Sequence, residues 1–375
     1  MNDQPRALLR RALLERGVLV VAGPGGVGKT TTSAALGLLA ARLGRRALVC
    51  TIDPSRRLAT SLGLRTLTDK PRRLDLSRVA KDAAGSVHAM TLDTKRTFDG
   101  LVERYAASKD AQRRILGNRF YKEVSAALAG SHEYMAMEKL LELTRDERFD
   151  LIVLDTPPTR HALDFLEAPE RMLSFLDASV LRYFLRPYFA AGRLTLKVAT
   201  KTGALALKIA DKALGLQFLG DLSEFFLAFE GMYDGFKERA AAVQALLRQD
   251  SSGFVLVGSP QPQALSEVCY FRTRLREKGM PFVGFIVNRV HGMGAPRQAE
   301  PRQRAARVRV EEPLQTHLIE LFDAERGLAR AEERAVARLE VDTAESAVCV
   351  PELERDVHDV RGLAELALEL SASSP

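Results

Sequence analysis

Six short runs along the chain have a continuously apolar centre: Val18–Ala22, Arg45–Ile52, Phe149–Leu154, Gly253–Val257, Pro281–Val287 and Ser346–Val350. Their polar and apolar positions do not alternate, so they predict strands buried on both faces, as in a parallel sheet covered by helices. Between them the apolar spacing turns helical, as in Ala34, Ala35, Leu36, Leu38, Leu39 and Ala40 after the first run. The alternation predicts an α/β fold with a doubly wound, mostly parallel sheet. Two long segments, about 94–143 and 163–247, fall outside this alternation and read as amphipathic helices, with Phe225–Phe229 and the Leu194, Leu196 and Val198 stripe as examples. They are expected to form one helical subdomain inserted into the sheet domain; the other reading is helices packed directly on the sheet. The stretch 293–313 is rich in Pro, Gly and Arg and predicts a flexible loop carrying a small basic cluster at Ala305–Arg309. Leu314–Leu339 predicts a charge-laced, solvated helix, and Leu363–Leu370 a closing one.

The polar residues that interrupt this pattern fall at strand ends. Asp53, Asp155 and Asn288 follow three of the apolar runs, and a glycine loop from Gly23 follows the first. A doubly wound sheet binds its ligand at those carboxyl ends. Gly23–Thr32 fits G-x-x-x-x-G-K-[ST] between a strand and a helix, the context that gives the pattern physical meaning. Backbone amides of Gly25, Gly26, Val27 and Gly28 would wrap a phosphate chain, and the helix N-terminus adds partial positive charge there. Lys29 would reach the β- and γ-phosphates, with Thr31 also at the nucleotide, and the Thr30 hydroxyl would sit on Mg²⁺. Mg²⁺ keeps several waters and takes few protein ligands, so Thr30 plus Asp155, the latter through water, suffices. Asp53, one strand over, could position the attacking water. Taken singly, each Asp reads as readily as a turn or helix-cap residue; beside the glycine loop they complete a set for ATP hydrolysis. The cofactors this reading assigns are ATP and Mg²⁺, and residues 1–375 make one P-loop ATPase domain around the insert.

Composition narrows the partners. The net charge is +7 over 375 residues, with 46% hydrophobic and 27% charged positions, which is ordinary for a globular chain. Aromatics are 6% and Trp is absent, so the positive charge lacks the stacking side chains of a nucleic-acid surface, and no nucleic acid is expected. Cys50, Cys269 and Cys349 are scattered and read as reduced thiols. No run reaches ~18 apolar residues, and the basic segment Arg6–Leu14 lacks the apolar region of a secretion signal; the expected compartment is the cytoplasm.

Lys29-Thr30-Thr31, Thr51–Ser55 and Asp155–His161 are similar to the phosphate loop, switch I and switch II of the ArsA-type anion-transporting ATPases, which include arsenical-pump and Get-pathway ATPases. Tyr134–Leu140, Ala162–Pro169, Phe236–Ala240, Val287–Val290 and Val350–Leu353 extend the resemblance over nearly the whole chain. It implies a P-loop NTPase fold with a deviant Walker A loop, and a homo- or heterodimer that closes over ATP and rearranges its helical part with nucleotide state. It also implies that Asn288 and Pro351 contact adenine, and that Thr159 and His161 couple the γ-phosphate to the helices. The chain departs from the family at Pro24, where the loop's second lysine belongs; Arg56, Arg57 and Arg160 are the candidate replacement cations. It also has no cysteine cluster for a metalloid, and no Cys-x-x-C follows Asn288. Met135, Met137, Met172 and Met232 could line a groove for a hydrophobic client or could be core. Three functions stay open: an ATPase switch, a nucleotide-gated chaperone or targeting factor for membrane-protein helices, and a positioning ATPase of the MinD/ParA type. In the last of these the basic surface would meet a membrane or DNA; a membrane-protein client or a membrane partner stays open as well. Arsenite is not expected to stimulate turnover.

Overall fold

In the computed structural model of the chain, eight strands form one sheet in the order β3-β4-β2-β5-β1-β6-β7-β8. Described are residues 4–53, 56–77, 80, 83–118, 121, 131–157, 167–168, 232–291 and 312–371. The strands are β1 Val18–Ala22, β2 Arg46–Thr51, β3 Arg72–Arg73, β4 Ser86–Thr91, β5 Leu151–Asp155, β6 Ser252–Gly258, β7 Phe282–Val290 and β8 Ala347–Pro351. All pairings are parallel except that of β3 with β4. Six of the eight match the apolar runs; β3 and β4 do not. Ser86–Thr91 interleaves half-buried Ser86, His88 and Thr91 with buried Val87, Ala89 and Met90, and both residues of β3 are exposed, so neither produces a continuous apolar run.

β1 is central. Val18–Val21 pair with Ile152–Asp155 on one side, and Val18–Ala22 with Ser252–Leu256 on the other. The chain winds outward through β2 and β4 on the first side, and through β7 and β8 on the second. Helix α1 Gln4–Glu15 precedes β1, and α2 Lys29–Arg42 follows it. The sequence of α2 is apolar nearly all round, which fits only a helix enclosed on every side. Ser33 through Ala41 are all buried, and the final helix of the chain packs against them. Each fully buried Leu or Val contributes about 1.5–3 kcal/mol. That load fixes the start of α2, and with it the glycine loop.

Beyond β2 lies the short helix α3 Arg57–Ser61. The chain divides into two compact units: residues 1–92, 142–163 and 246–375, and residues 93–141 and 164–245. In the second unit α4 Thr94–Tyr105 is capped by Asp93, whose carboxylate accepts from the Arg96 amide at 2.9 Å. α5 Lys109–Gly117 is capped by the Ser108 hydroxyl, which accepts from the Ala111 amide at 3.1 Å. Such caps satisfy amides that have no partner inside the helix. α6 Ser131–Leu143 and α7 Tyr233–Arg248 supply the second unit's buried Tyr134 and Phe236, which meet Phe98 and Tyr121 in a ring cluster. Most of the expected helical stretch 163–247, including Phe225–Phe229, lies outside the described residues.

Three helices close the first unit: α8 Pro262–Glu277, α9 Glu312–Thr343 and α10 Val360–Ser371, the last being the helix against α2. α9 begins inside the segment expected to be a loop, because Glu312 and Pro313 start a helix favourably; residues 292–311 lie outside the description. The solvated character expected of this helix holds for its first half, where Leu314, Leu318, Leu321 and Phe322 are exposed. Its second half buries Glu332, Val336 and Leu339. Among the described residues no helix is long and apolar enough to cross a membrane.

Candidate functional site

The loop after β1 can be tight because of two glycines. Gly23 has φ of 154°, and a Cβ there would stand 1.9 Å from the Val257 carbonyl oxygen of β6. Gly28 has φ of 92°, in the left-handed region, and a Cβ would meet Asn288 Nδ2 at 2.4 Å. Gly28 is also the N-cap of α2 and offers no side chain to its first turn. The amides of that turn are therefore left for a ligand, at the positive end of the helix.

Asp155, the last residue of β5, is fully buried. Its Oδ2 accepts from Thr30 Oγ1 and from Thr51 Oγ1, each at 2.8 Å, and its Oδ1 lies 3.5 Å from Ser33 Oγ. Burial pushes its carboxyl up to about 6, against the pull of the two threonine hydroxyls and the Lys29 ammonium. The folded value lies above the ordinary 3.8, so the folded chain holds this proton more tightly than the unfolded one. Stability contributed by the protonated carboxyl is therefore lost as pH rises through about 6. Asp155→Asn, without nucleotide, is expected to be more stable than wild type at pH 8, by on the order of 3 kcal/mol, with the difference shrinking as pH falls through about 6 and nearly gone below about pH 3.5, under the ordinary carboxylate value of 3.8. Thermal unfolding at the two pH values checks this; a variant equally or less stable at pH 8 counts against it.

Lys29 is buried, and its Nζ donates to the Pro24 carbonyl at 2.7 Å. Burial lowers its pKa, while Asp155 and Asp53 work the other way. Asp53 follows β2 by two residues, and its amide donates to Thr51 Oγ1 at 3.2 Å. Thr51 thus ties both aspartates to one strand tip. Thr156 Oγ1 donates to the Val21 carbonyl at 2.9 Å and locks the start of the next loop against β1.

A cleft of about 460 Å³ opens here, floored by Gly26, Gly28, Lys29, Thr30 and Thr31. Asp53, Arg56, Arg57, Thr60 and Ser61 form one wall, and Thr156 and Arg289 complete it. Among the described residues, the four cations Lys29, Arg56, Arg57 and Arg289 face one carboxylate, Asp53, a balance that suits a polyanion. A smaller cavity of about 100 Å³ beside α1 and Gly284 holds no comparable set of charges among the described residues.

Of the residues singled out in the sequence, Gly26, Gly28, Lys29, Thr30, Thr31 and Asp53 line this cleft, with Asp155 directly bonded to Thr30. Gly25 and Val27 belong to the same loop; Val27 is buried, and its carbonyl accepts from Asn288 Nδ2 at 2.9 Å. Asn288 is thus bonded to the loop itself. Pro351 ends β8, half-buried, opposite Val290 of β7. Of the candidate replacement cations Arg56 and Arg57 reach the cleft. Thr159, Arg160 and His161 lie outside the described residues. Sequence reasoning missed Ser33, Thr60 and Ser61 as parts of the site, and named Thr51, Thr156 and Arg289 only within family-like stretches, without a role of their own. A hydroxyl residue two places before a strand-end Asp was the available sign for Thr51.

The family model for anion-transporting ATPases matches residues 16–325. An Aquifex aeolicus protein named as an arsenical pump-driving ATPase is 25% identical over 67% of this chain and 57% of its own length. A get3 ATPase of Aspergillus terreus is 30% identical over 40% of this chain and 42% of its own. An uncharacterized Streptomyces coelicolor protein is 28% identical over 72% of this chain and 62% of its own. The chain spans about half the length of the curated relatives it matches. With its phosphate loop, strand-tip aspartates and seven of the sheet's eight strands inside the matched region, the chain belongs to the anion-transporting ATPase family.

Proposed function

We propose that this chain binds ATP with Mg²⁺ and hydrolyses it, and that the nucleotide state drives rearrangement of its helical part. The observation that carries the reading is the cluster in which Lys29, Thr30, Thr51 and Asp155 converge beneath the glycine loop. The amides of the loop and the first turn of α2 grip the phosphates, and Lys29 moves from the Pro24 carbonyl to the β- and γ-oxygens. Thr30 Oγ1 and the Asp155 carboxylate form an all-oxygen donor set suited to Mg²⁺, Asp155 acting through water. When bound, that ion neutralises charge developing on the transferred phosphoryl group. Asp53, its backbone held by Thr51, orients water toward the γ-phosphate. Arg56 and Arg57 supply charge that the loop lacks at Pro24. Asn288 and Pro351 would meet the adenine, and Thr159 and His161 would pass the γ-phosphate signal onward.

The active form in this reading is a cytoplasmic homo- or heterodimer of one P-loop domain per chain, 1–375, with the helical part at about 94–143 and 163–247 inserted. The kinship with a protein named get3 supports a second reading, a nucleotide-gated factor for hydrophobic membrane-protein segments or a membrane partner. Against it, Met135, Met137 and Met232 are buried, as core residues are. The length of the helical part weighs against a MinD/ParA-like positioning role. Metalloid capture is also disfavoured: Cys50 and Cys349 are buried in strands and Cys269 lies on α8. Calorimetry with MgATP, followed by a phosphate-release assay, tests the proposal. Micromolar binding with turnover is expected, and arsenite should leave that turnover unchanged; no heat of association defeats the reading.

A further inference from the structure

The cleft holds one residue whose backbone is as unusual as its position. Arg289 has φ of 63°, the left-handed region that a long side chain enters only at a cost of about 1 kcal/mol. It sits where the pairing of β7 with β8 shifts register, between Val287 and Val290. The chain is pinned on both sides of it. Asn288 is bonded to Val27 of the phosphate loop. Val290 is buried, and the next residue, His291, meets Glu332 at 2.9 Å and Glu352 at 2.6 Å. Strain that is fixed from both flanks marks a residue whose placement matters. Arg289 itself is exposed and lines the cleft, and its guanidinium has no hydrogen bond or ion pair with any described residue. A guanidinium is built for bidentate contact with phosphate oxygens and keeps its charge at any working pH.

We propose that Arg289 is a ligand of the nucleotide's phosphate chain, delivered from β7 and held in place by the Asn288–Val27 bond. The inference rests on the proposed ATP binding and adds to it a cation from the opposite side of the sheet to Arg56 and Arg57. It locates in this chain's own strand β7 a positive charge to offset the one missing at Pro24.

Calorimetry of ATP, ADP and adenosine with wild type, Arg289→Asn and Arg289→Lys tests it. Asn accepts the left-handed backbone and so removes the charge without refolding the turn. For Arg289→Asn, Kd for ATP and for ADP should weaken about tenfold while Kd for adenosine stays at the wild-type value; Arg289→Lys should lose less. Arg289→Asn binding ATP and ADP as wild type does overturns the inference. So does an equal loss for adenosine, which means Arg289 shapes the site and does not touch phosphate. A wild-type chain that shows no heat of association with ATP or ADP defeats the proposed function as well, so the two failures are told apart.

Discussion

Lys29→Ala is expected to lose MgATP binding in calorimetry and to lower turnover by at least about a hundredfold, the scale for removing a cation that stabilises a transferring phosphoryl group. The ammonium is buried, and among the described residues its one hydrogen bond is to the Pro24 carbonyl. That leaves two of its three donors for phosphate oxygens. Arg57 lies close enough to depress its pKa further, and Asp155 close enough to raise it, so Lys29 is the hinge of the charge balance beneath the loop. Arg56 and Arg57 cannot replace it, because they stand on the wall of the cleft and not on its floor. Asp53→Asn is the companion measurement. It keeps the side chain's shape and the Thr51-anchored backbone, so binding should survive while turnover falls about a thousandfold. If Lys29→Ala binds MgATP with wild-type affinity, the loop is not the phosphate cradle. If Asp53→Asn keeps full turnover, water is oriented by another group.

The sheet and the floor of the site were legible in the sequence, and their supports were not. Val18–Ala22 is a strand over the very residues its apolar run marked, because a central strand has no solvent face to dilute the pattern. Ser86–Thr91 escaped notice for the opposite reason: its neighbours are β2 and the two-residue edge strand β3, so it tolerates Ser86, His88 and Thr91. Gly28, Lys29 and Thr30 were readable because phosphate binding imposes a fixed local spacing. The Asn288–Val27 bond joins residues 261 positions apart, and no local spacing encodes such a contact. The left-handed turn at Arg289 was equally hidden, since Arg carries none of the preference for positive φ that Gly or Asn announces. Pro24 was read as a missing lysine; the structure adds that its carbonyl holds Lys29.

In the helical unit, Arg239→Leu is expected to cost about 3–5 kcal/mol of stability, the range for orphaning one partner of a buried ion pair. The Glu138 side chain is 1% exposed and that of Arg239 8%, so solvent screening is slight. Arg239 Nε bonds Glu138 Oε2, while Tyr134 donates its hydroxyl to Glu138 Oε1 at 2.5 Å. The other end of the guanidinium donates to the Tyr105 hydroxyl at 3.0 Å and lies over that ring. Removing Arg239 leaves a carboxylate in an apolar setting whose remaining donor is a phenol. Burial and the Glu138 charge both push the Tyr134 phenol's pKa up, so that phenol stays protonated and can only donate to the stranded carboxylate, not neutralise it. Glu138→Leu with Arg239→Leu should recover part of the loss, because no charge is then stranded. Recovery should be incomplete, because the Tyr134 and Tyr105 hydroxyls each lose a partner, at about 1 kcal/mol or more apiece. Urea unfolding of the two single variants and the double variant measures the coupling. A cost of less than about 1 kcal/mol for Arg239→Leu means that the carboxylate is not stranded when its partner is gone, and counts against this reading.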